Sequence, residues 1–370
     1  MSNPFPIRPR LLLGPGPSPV HQRILQALSR PTVGHLDPQF LAVMDDVNAR
    51  LRQVFGTDNT LTFPVSGTGS AAQEAALANV LEPGDKAIIG INGVFGGRLA
   101  EMARRMGCEV VAVEETWGRI IDPQRMIDAH SANPDARVLT LIHAETSTGV
   151  RQPLAEVGAY LAGTDTLFVV DTVTSLGGIP VELDANHVDV AYSGTQKCLG
   201  VPPGLAPLTF SERAVARIRS RTRPCQSWYL DAALLADYVG EGSERKYHHT
   251  APINMMYALH EGLVMVGEEG LEARFQRHEA VGTRLQEALR ERGFELFAQE
   301  GHRLPQLTAA ALPGGRDEAP LRKALLERFD IEVGGGLGPA KGRIWRIGLM
   351  GAGATDESVD RLLDAVDELL

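Results

Sequence analysis

The chain has 370 residues, with 36 basic and 46 acidic side chains and a net charge of −10 at pH 7. At 44% hydrophobic and 22% charged, it carries ample apolar material for a large core, which excludes chain-wide disorder. The acidic balance argues against a dedicated nucleic-acid binder, whose sign is usually opposite.

Cys108, Cys198 and Cys225 lie too far apart for a CxxC pair, a disulfide framework or a zinc site. Reduced thiols are expected. No apolar run approaches the roughly 18 residues of a membrane helix. The start, Met1-Ser2-Asn3-Pro4-Phe5-Pro6, lacks the apolar core of a signal peptide, and Leu369-Leu370 is no sorting tripeptide. A soluble, cytoplasmic protein is the expectation.

In chain order, residues 1–19 end in Gly14-Pro15-Gly16-Pro17-Ser18-Pro19. Such a run cannot be helix and predicts an extended N-terminal arm. From about residue 20 to 220, short apolar runs alternate with amphipathic segments. Strands are predicted at Leu61–Val65, Lys86–Ile91, Glu109–Val113, Val138–Ile142, Leu167–Val170, Val188–Tyr192 and Ala206–Phe210. Several are nearly continuous Val/Ile/Leu, as strands covered on both faces should be. Helices are predicted at Gly69–Leu81, Arg98–Met106 and Pro153–Leu161. The alternation predicts an α/β fold with a mainly parallel, seven-stranded sheet between helices.

After about residue 250 the texture changes. Helices are predicted at 254–268 and 270–292, then a strand at Gln306–Ala311, a helix at 319–328, a strand at Arg343–Leu349 and a helix at 355–369. The expected division is an arm over 1–19, a large domain over 20–260 and a smaller α+β domain over 261–370.

Ligands of open α/β sheets sit at the carboxyl ends of strands. Three segments there carry chemistry. Ser66-Gly67-Thr68-Gly69-Ser70 joins a strand to a helix start. Its glycines can turn N–H groups outward, and the helix end is positive, so it suits a phosphate. It matches neither a Walker A loop nor GxGxxG. Asp171 directly follows an apolar strand, and Lys197 follows a later one. Taken singly, each has an ordinary alternative: a helix cap, a buried ion pair, a surface charge. Taken together and in this order, they match pyridoxal 5′-phosphate. The phosphate needs a cradle, the pyridine nitrogen an acid, and the aldehyde an amine.

At this point the sequence resembles the class V aminotransferases of pyridoxal-phosphate fold type I, closest to their alanine–glyoxylate and serine–glyoxylate branch. The resemblance spans nearly the whole chain. It rests on Leu12-Leu13-Gly14-Pro15-Gly16-Pro17, Ser66-Gly67-Thr68-Gly69 and Leu81-Glu82-Pro83-Gly84-Asp85. It continues through Glu145-Thr146-Ser147-Thr148-Gly149-Val150, Tyr192-Ser193-Gly194-Thr195-Gln196-Lys197, Tyr247-His248-His249-Thr250 and Gly335-Gly336-Leu337-Gly338-Pro339 to Trp345-Arg346-Ile347-Gly348-Leu349.

The resemblance implies roles. Lys197 would hold the cofactor as a Schiff base and then move the proton. Asp171 would pair with the pyridinium. Thr68, Gly69, Ser70 and Gln196 would hold the phosphate. Tyr247 and Thr250 would reach it from a neighbouring subunit, making the active unit a homodimer. Thr146 would contact the ring hydroxyl region and Val173 one ring face. Phe95 stands where the family often has a stacking tryptophan. Arg346 would take the substrate carboxylate, with Gly14 on the substrate side; a bidentate guanidinium suits a carboxylate well.

The implied activity is transamination of alanine or serine with glyoxylate or pyruvate. An aminoethylphosphonate transaminase is the alternative on the same fold. A cysteine desulfurase would need a late loop cysteine, yet the last is Cys225. Other residues have plainer readings. Arg343 lies three positions from Arg346 on a strand and should face solvent. The adjacent His248 and His249 should point apart, without metal. The resemblance implies that His35 lies near the active-site mouth, on the substrate side. Cys198, Trp117, Trp228 and Trp345 should be packing residues.

Overall fold

The computed structural model describes residues 7–240 and 245–370; the start of the expected arm, 1–6, lies outside them. Seven strands form the large sheet: β1 (Leu61–Gly67), β2 (Lys86–Ile91), β3 (Glu109–Glu114), β4 (Val138–Ile142), β5 (Leu167–Asp171), β6 (Val190–Tyr192) and β7 (Gly204–Phe210). Their order is β1-β7-β6-β5-β4-β2-β3. Only β7 runs antiparallel to its neighbours. β4 and β5 are buried at every position, as helices on both faces require.

Helices α1 (Pro38–Phe55), α2 (Gly69–Val80) and α3 (Val94–Arg105) belong to this unit. α1 is announced by Asp37, whose side chain accepts from Gln39 N, by Pro38 at the first turn and by left-handed Gly56 at the end. It buries Phe40, Val47, Leu51 and Phe55. Each such side chain contributes about 1.5–3 kcal/mol. α2 is Ala-rich and buried nearly all round, so it lies close against the sheet. α3 begins four residues before the expected Arg98. Gly96 explains the tight fit: a Cβ there would stand 2.5 Å from Gly90 O on β2.

The second unit holds β8 (Glu295–Leu296), β9 (Leu307–Ala311), β10 (Gly334–Gly335) and β11 (Ile344–Gly348), in antiparallel order β8-β9-β11-β10. Helices α4 (Ile253–Glu269) and α5 (Leu271–Glu291) meet at Gly270, φ +80°. α6 (Asp356–Leu369) closes the described chain. One apolar core runs from Ile24 to Val266; another takes Leu13 and residues from Val281 to Val366.

Part of the expected arm is not free-standing. Leu11–Leu12 pairs in parallel with Ile331–Glu332, and Gly348 N donates to Leu13 O at 2.8 Å. The chain then crosses from the small unit towards Lys197 through Pro15 and Gly16. Among the described residues, no helix is long and apolar enough to cross a membrane.

Candidate active site

The carboxyl ends of β1, β5 and β6 converge on a cavity of about 200 Å³. Thr68, Gly69 and Ser70 line one part of it, at the start of α2. Asp171 and Val173 enter from the end of β5, and Gln196 and Lys197 from the loop after β6. Phe95 enters from the first turn of α3. Eight of the residues singled out in the sequence therefore share one small space.

The helix start is open for an anion. Thr68 is its N-cap, yet the hydroxyl makes no capping bond, and first-turn N–H groups have no partner within a helix. Gln196 Oε1 is buried and unpartnered; which amide end it presents is set by what it meets. A Cβ on Gly69 would press on Val173 Cγ2 at 3.3 Å, and that side chain would have to give by a few tenths of an ångström.

Asp171 is 3% exposed. One oxygen accepts from Val173 N at 2.8 Å. Among the described residues it makes no salt bridge, so burial pushes its carboxyl up to about 7. Lys197 is 7% exposed, and its Nζ donates to Pro15 O. Burial, and then the Arg346 charge, bring its amine down to about 8. The close approach of the arm depends on Gly16: at φ +91°, a Cβ there would fall 2.4 Å from Lys197 Cδ.

Arg346 arrives from the other unit, on β11. It is 8% exposed. Its Nε donates to Gly335 O at 2.7 Å and its Nη1 to Thr146 O at 3.4 Å. It makes no salt bridge among the described residues, and burial lowers it to about 10. A buried guanidinium without a salt-bridge partner has the chemistry to take up a carboxylate. Gly14 is buried beside β10 and β11: its nearest neighbour across that gap is Gly334 N, and its carbonyl would be 2.2 Å from a Cβ on Gly348. Arg343 is exposed.

Other expected residues lie elsewhere. The Thr146 hydroxyl pairs with Thr174 Oγ1 rather than lining the cavity; only its carbonyl faces Arg346. Tyr247 and Thr250 are exposed, joined at 3.2 Å, and outside the cavity of their own chain. His35 is half-buried and packs 4.7 Å from the Tyr247 ring. The expectation that His248 and His249 point apart is wrong: their Nδ1 atoms are 2.9 Å apart. His249 reaches Ser66 Oγ and His248 stacks on Trp228, and these partners turn the two rings together. Trp228 is also not a buried packing residue, being 61% exposed. Trp345 is buried, and Trp117 is half-buried against Gly338. Cys198 is fully buried, its thiol pushed up by burial.

Four further residues join the site. Gln73 and Arg98 line the cavity, and Arg98 lies 4.9 Å from the centre of the Phe95 ring. Tyr192 is fully buried beside Asp171. Glu145 is fully buried and holds Phe95 N at 3.1 Å and Ser147 N at 2.9 Å. Burial raises its carboxyl. The helical spacing of Gln73 to Ser70 was the one available signal; Arg98 looks like any surface arginine.

An amine, a buried acid without a salt bridge, and an open helix start around one cavity form an arrangement that suits pyridoxal phosphate. The sequence model of aminotransferase class V matches residues 13–362. The chain belongs to the class-V aminotransferase family. The crystal structure of an alanine–glyoxylate aminotransferase from Nostoc sp. superposes with a TM-score of 0.97 at 47% identity, covering 100% of this chain and 97% of that one. Rat alanine–glyoxylate aminotransferase is 39% identical over 100% of this chain and 90% of its own length. The (S)-ureidoglycine–glyoxylate transaminase of Bacillus subtilis is 38% identical, over 98% and 90%. The protein is thus an aminotransferase of fold type I, with pyridoxal 5′-phosphate as cofactor.

Proposed function

We propose that the protein transfers the amino group of a small amino acid, alanine or serine, to glyoxylate, with pyruvate as a further acceptor, using Lys197 as the cofactor-holding amine. The observation that carries this is a buried Arg346 that makes no salt bridge among the described residues and whose charge acts on Lys197, although its side chain stands outside the cavity lining. The named relatives above share glyoxylate as acceptor, and this supports that half of the reading.

When bound, the cofactor supplies a carbonyl carbon for the donor amine and a ring that takes up the electron pair left on Cα. The chain does the rest. Thr68, Gly69, Ser70 and Gln196 hold the phosphate with N–H and side-chain donors at the positive end of α2. Asp171 would give its buried charge a cationic partner on the ring nitrogen, and Phe95 and Val173, which line the same cavity, would hold the ring. Arg346 grips the substrate carboxylate, and Thr146 holds that guanidinium in line. Lys197, lowered towards neutral pH, would take the proton from Cα and return it two atoms along, on the far side of the donor nitrogen. Gly14, Gly334 and Gly335 bring backbone rather than side chain to the Arg346 side, which suits a small donor. Tyr247 and Thr250, exposed here, reach the phosphate of a second subunit.

The test is a half-reaction. The purified yellow protein is mixed separately with alanine, serine and aminoethylphosphonate, and the visible cofactor band is followed. Bleaching by alanine or serine and recovery with glyoxylate is the expected result. Bleaching by the phosphonate alone would replace this reading with the phosphonate transaminase.

A further inference from the structure

Behind the site lies an ionic cluster that the reaction itself does not use. Arg274 and Arg277 stand one turn apart on α5, and Glu269 closes α4. Arg274 is 6% exposed. Its Nε donates to Gly177 O at 2.9 Å, on the turn that follows Asp171. Its Nη2 donates to Cys198 O, the carbonyl next to Lys197. Glu269 accepts from Arg274 Nη1 at 2.5 Å and from Arg277 Nε at 2.7 Å. Arg277 Nη1 in turn donates to Gly351 O at 3.0 Å and Ala354 O at 2.8 Å, on the turn after Arg346's strand. Gly351 N donates to the buried His278 Nε2 at 3.1 Å.

Two units thus supply the two groups that must act on one substrate, and one cluster grips the chain beside each. Burying charges is a poor way to gain stability, because desolvation offsets the attraction. It is a good way to fix distance, because the planar guanidinium holds its N–H donors in fixed directions. A proton transfer is sensitive to that distance: an error of 1 Å can cost about 10²-fold in rate.

We propose that Arg274, Glu269 and Arg277 are positioning residues that set Lys197 in register with Arg346. Arg274 holds the amine's loop, Arg277 holds the turn behind the carboxylate receptor, and Glu269 couples the two. The inference rests on the roles given above to Lys197 and Arg346.

The two ends separate kinetically. In the holoenzyme, with glyoxylate and whichever of alanine and serine the wild type uses faster, Arg274→Lys lowers kcat by about 10²-fold and leaves the donor KM unchanged. A lysine cannot hold Gly177 O, Cys198 O and Glu269 at once. Arg277→Lys raises the donor KM and spares kcat. Glu269→Gln, a change of one atom beside solvent, produces both effects in smaller measure and carries the test if Arg274→Lys does not fold. Wild-type kcat and KM in folded variants would overturn the proposal, and so would a lowered melting temperature with kinetics unchanged. Lys197→Ala serves as the reference. If it keeps turnover, the role of Lys197 falls and the proposal with it. If it is dead while the cluster variants behave as wild type, only the cluster proposal falls.

Discussion

The large and small units bring different things to the same point. The large unit is a mainly parallel sheet whose central strands are fully buried, and its functional groups stand at or just past the strands' carboxyl ends. Asp171 and Lys197 are placed there by β5 and β6, and the open start of α2 faces them. The small unit is antiparallel and contributes one charge, Arg346, from the middle of β11. On the proposed reading, the first holds the cofactor and moves the proton, and the second recognises the substrate. The lesson is that reaction and recognition here have separate scaffolds, so each can be broken alone.

The largest break is at Lys197. Lys197→Ala removes the visible band of the lysine-held cofactor and lowers turnover by about 10²–10⁴-fold; absorbance and steady-state assays check both. Arg346→Ala breaks the other side. It leaves the band intact and weakens amino acid donors by about 2–5 kcal/mol, as for truncating one partner of a buried charge pair. Titration of the donor against the rate of bleaching measures it. Gly16→Ala tests the junction between the units. A Cβ there overlaps Lys197 and imposes a backbone strain, so cofactor content and melting temperature both fall.

Asp171 gives a pH signature in the cofactor-free protein. Its carboxyl rises from 3.8 to about 7 on folding. The folded state therefore holds a proton that the unfolded state has lost between those values, and stability falls as pH climbs from about 4 to about 7. Asp171→Asn lacks this loss. Its melting temperature relative to wild type should rise across that window and level off above it. The smallest effect is at exposed Arg343, where Arg343→Ala should change stability by no more than about 0.5 kcal/mol and leave the donor KM alone.

Much of the large unit was legible because covered strands are written as unbroken Val/Ile/Leu, as at Val138–Ile142 and Leu167–Val170. The site was legible because its residues sit at strand ends in a fixed order. What escaped has physical causes. α1 over Pro38–Phe55 is absent from the elements the apolar runs predict, although Asp37-Pro38 and Gly56 mark both its ends. The start of α3 was hidden by Gly96 and Gly97, which weaken a helical pattern but allow contact with β2. Arg98 and Tyr192 enter the site only through tertiary packing. The meeting of His248 with His249 depends on Trp228 and Ser66, far away in sequence. Arg274 reaches a turn 97 positions away, which no local pattern reports.

The central claim is that Lys197 and Arg346, from different units, act on one substrate. The direct measurement compares bleaching rates for alanine and ethylamine, its analogue without a carboxylate, in the wild type and in Arg346→Ala. The account predicts a strong preference for alanine in the wild type that vanishes in the variant. A variant that still prefers alanine as strongly as the wild type would contradict it.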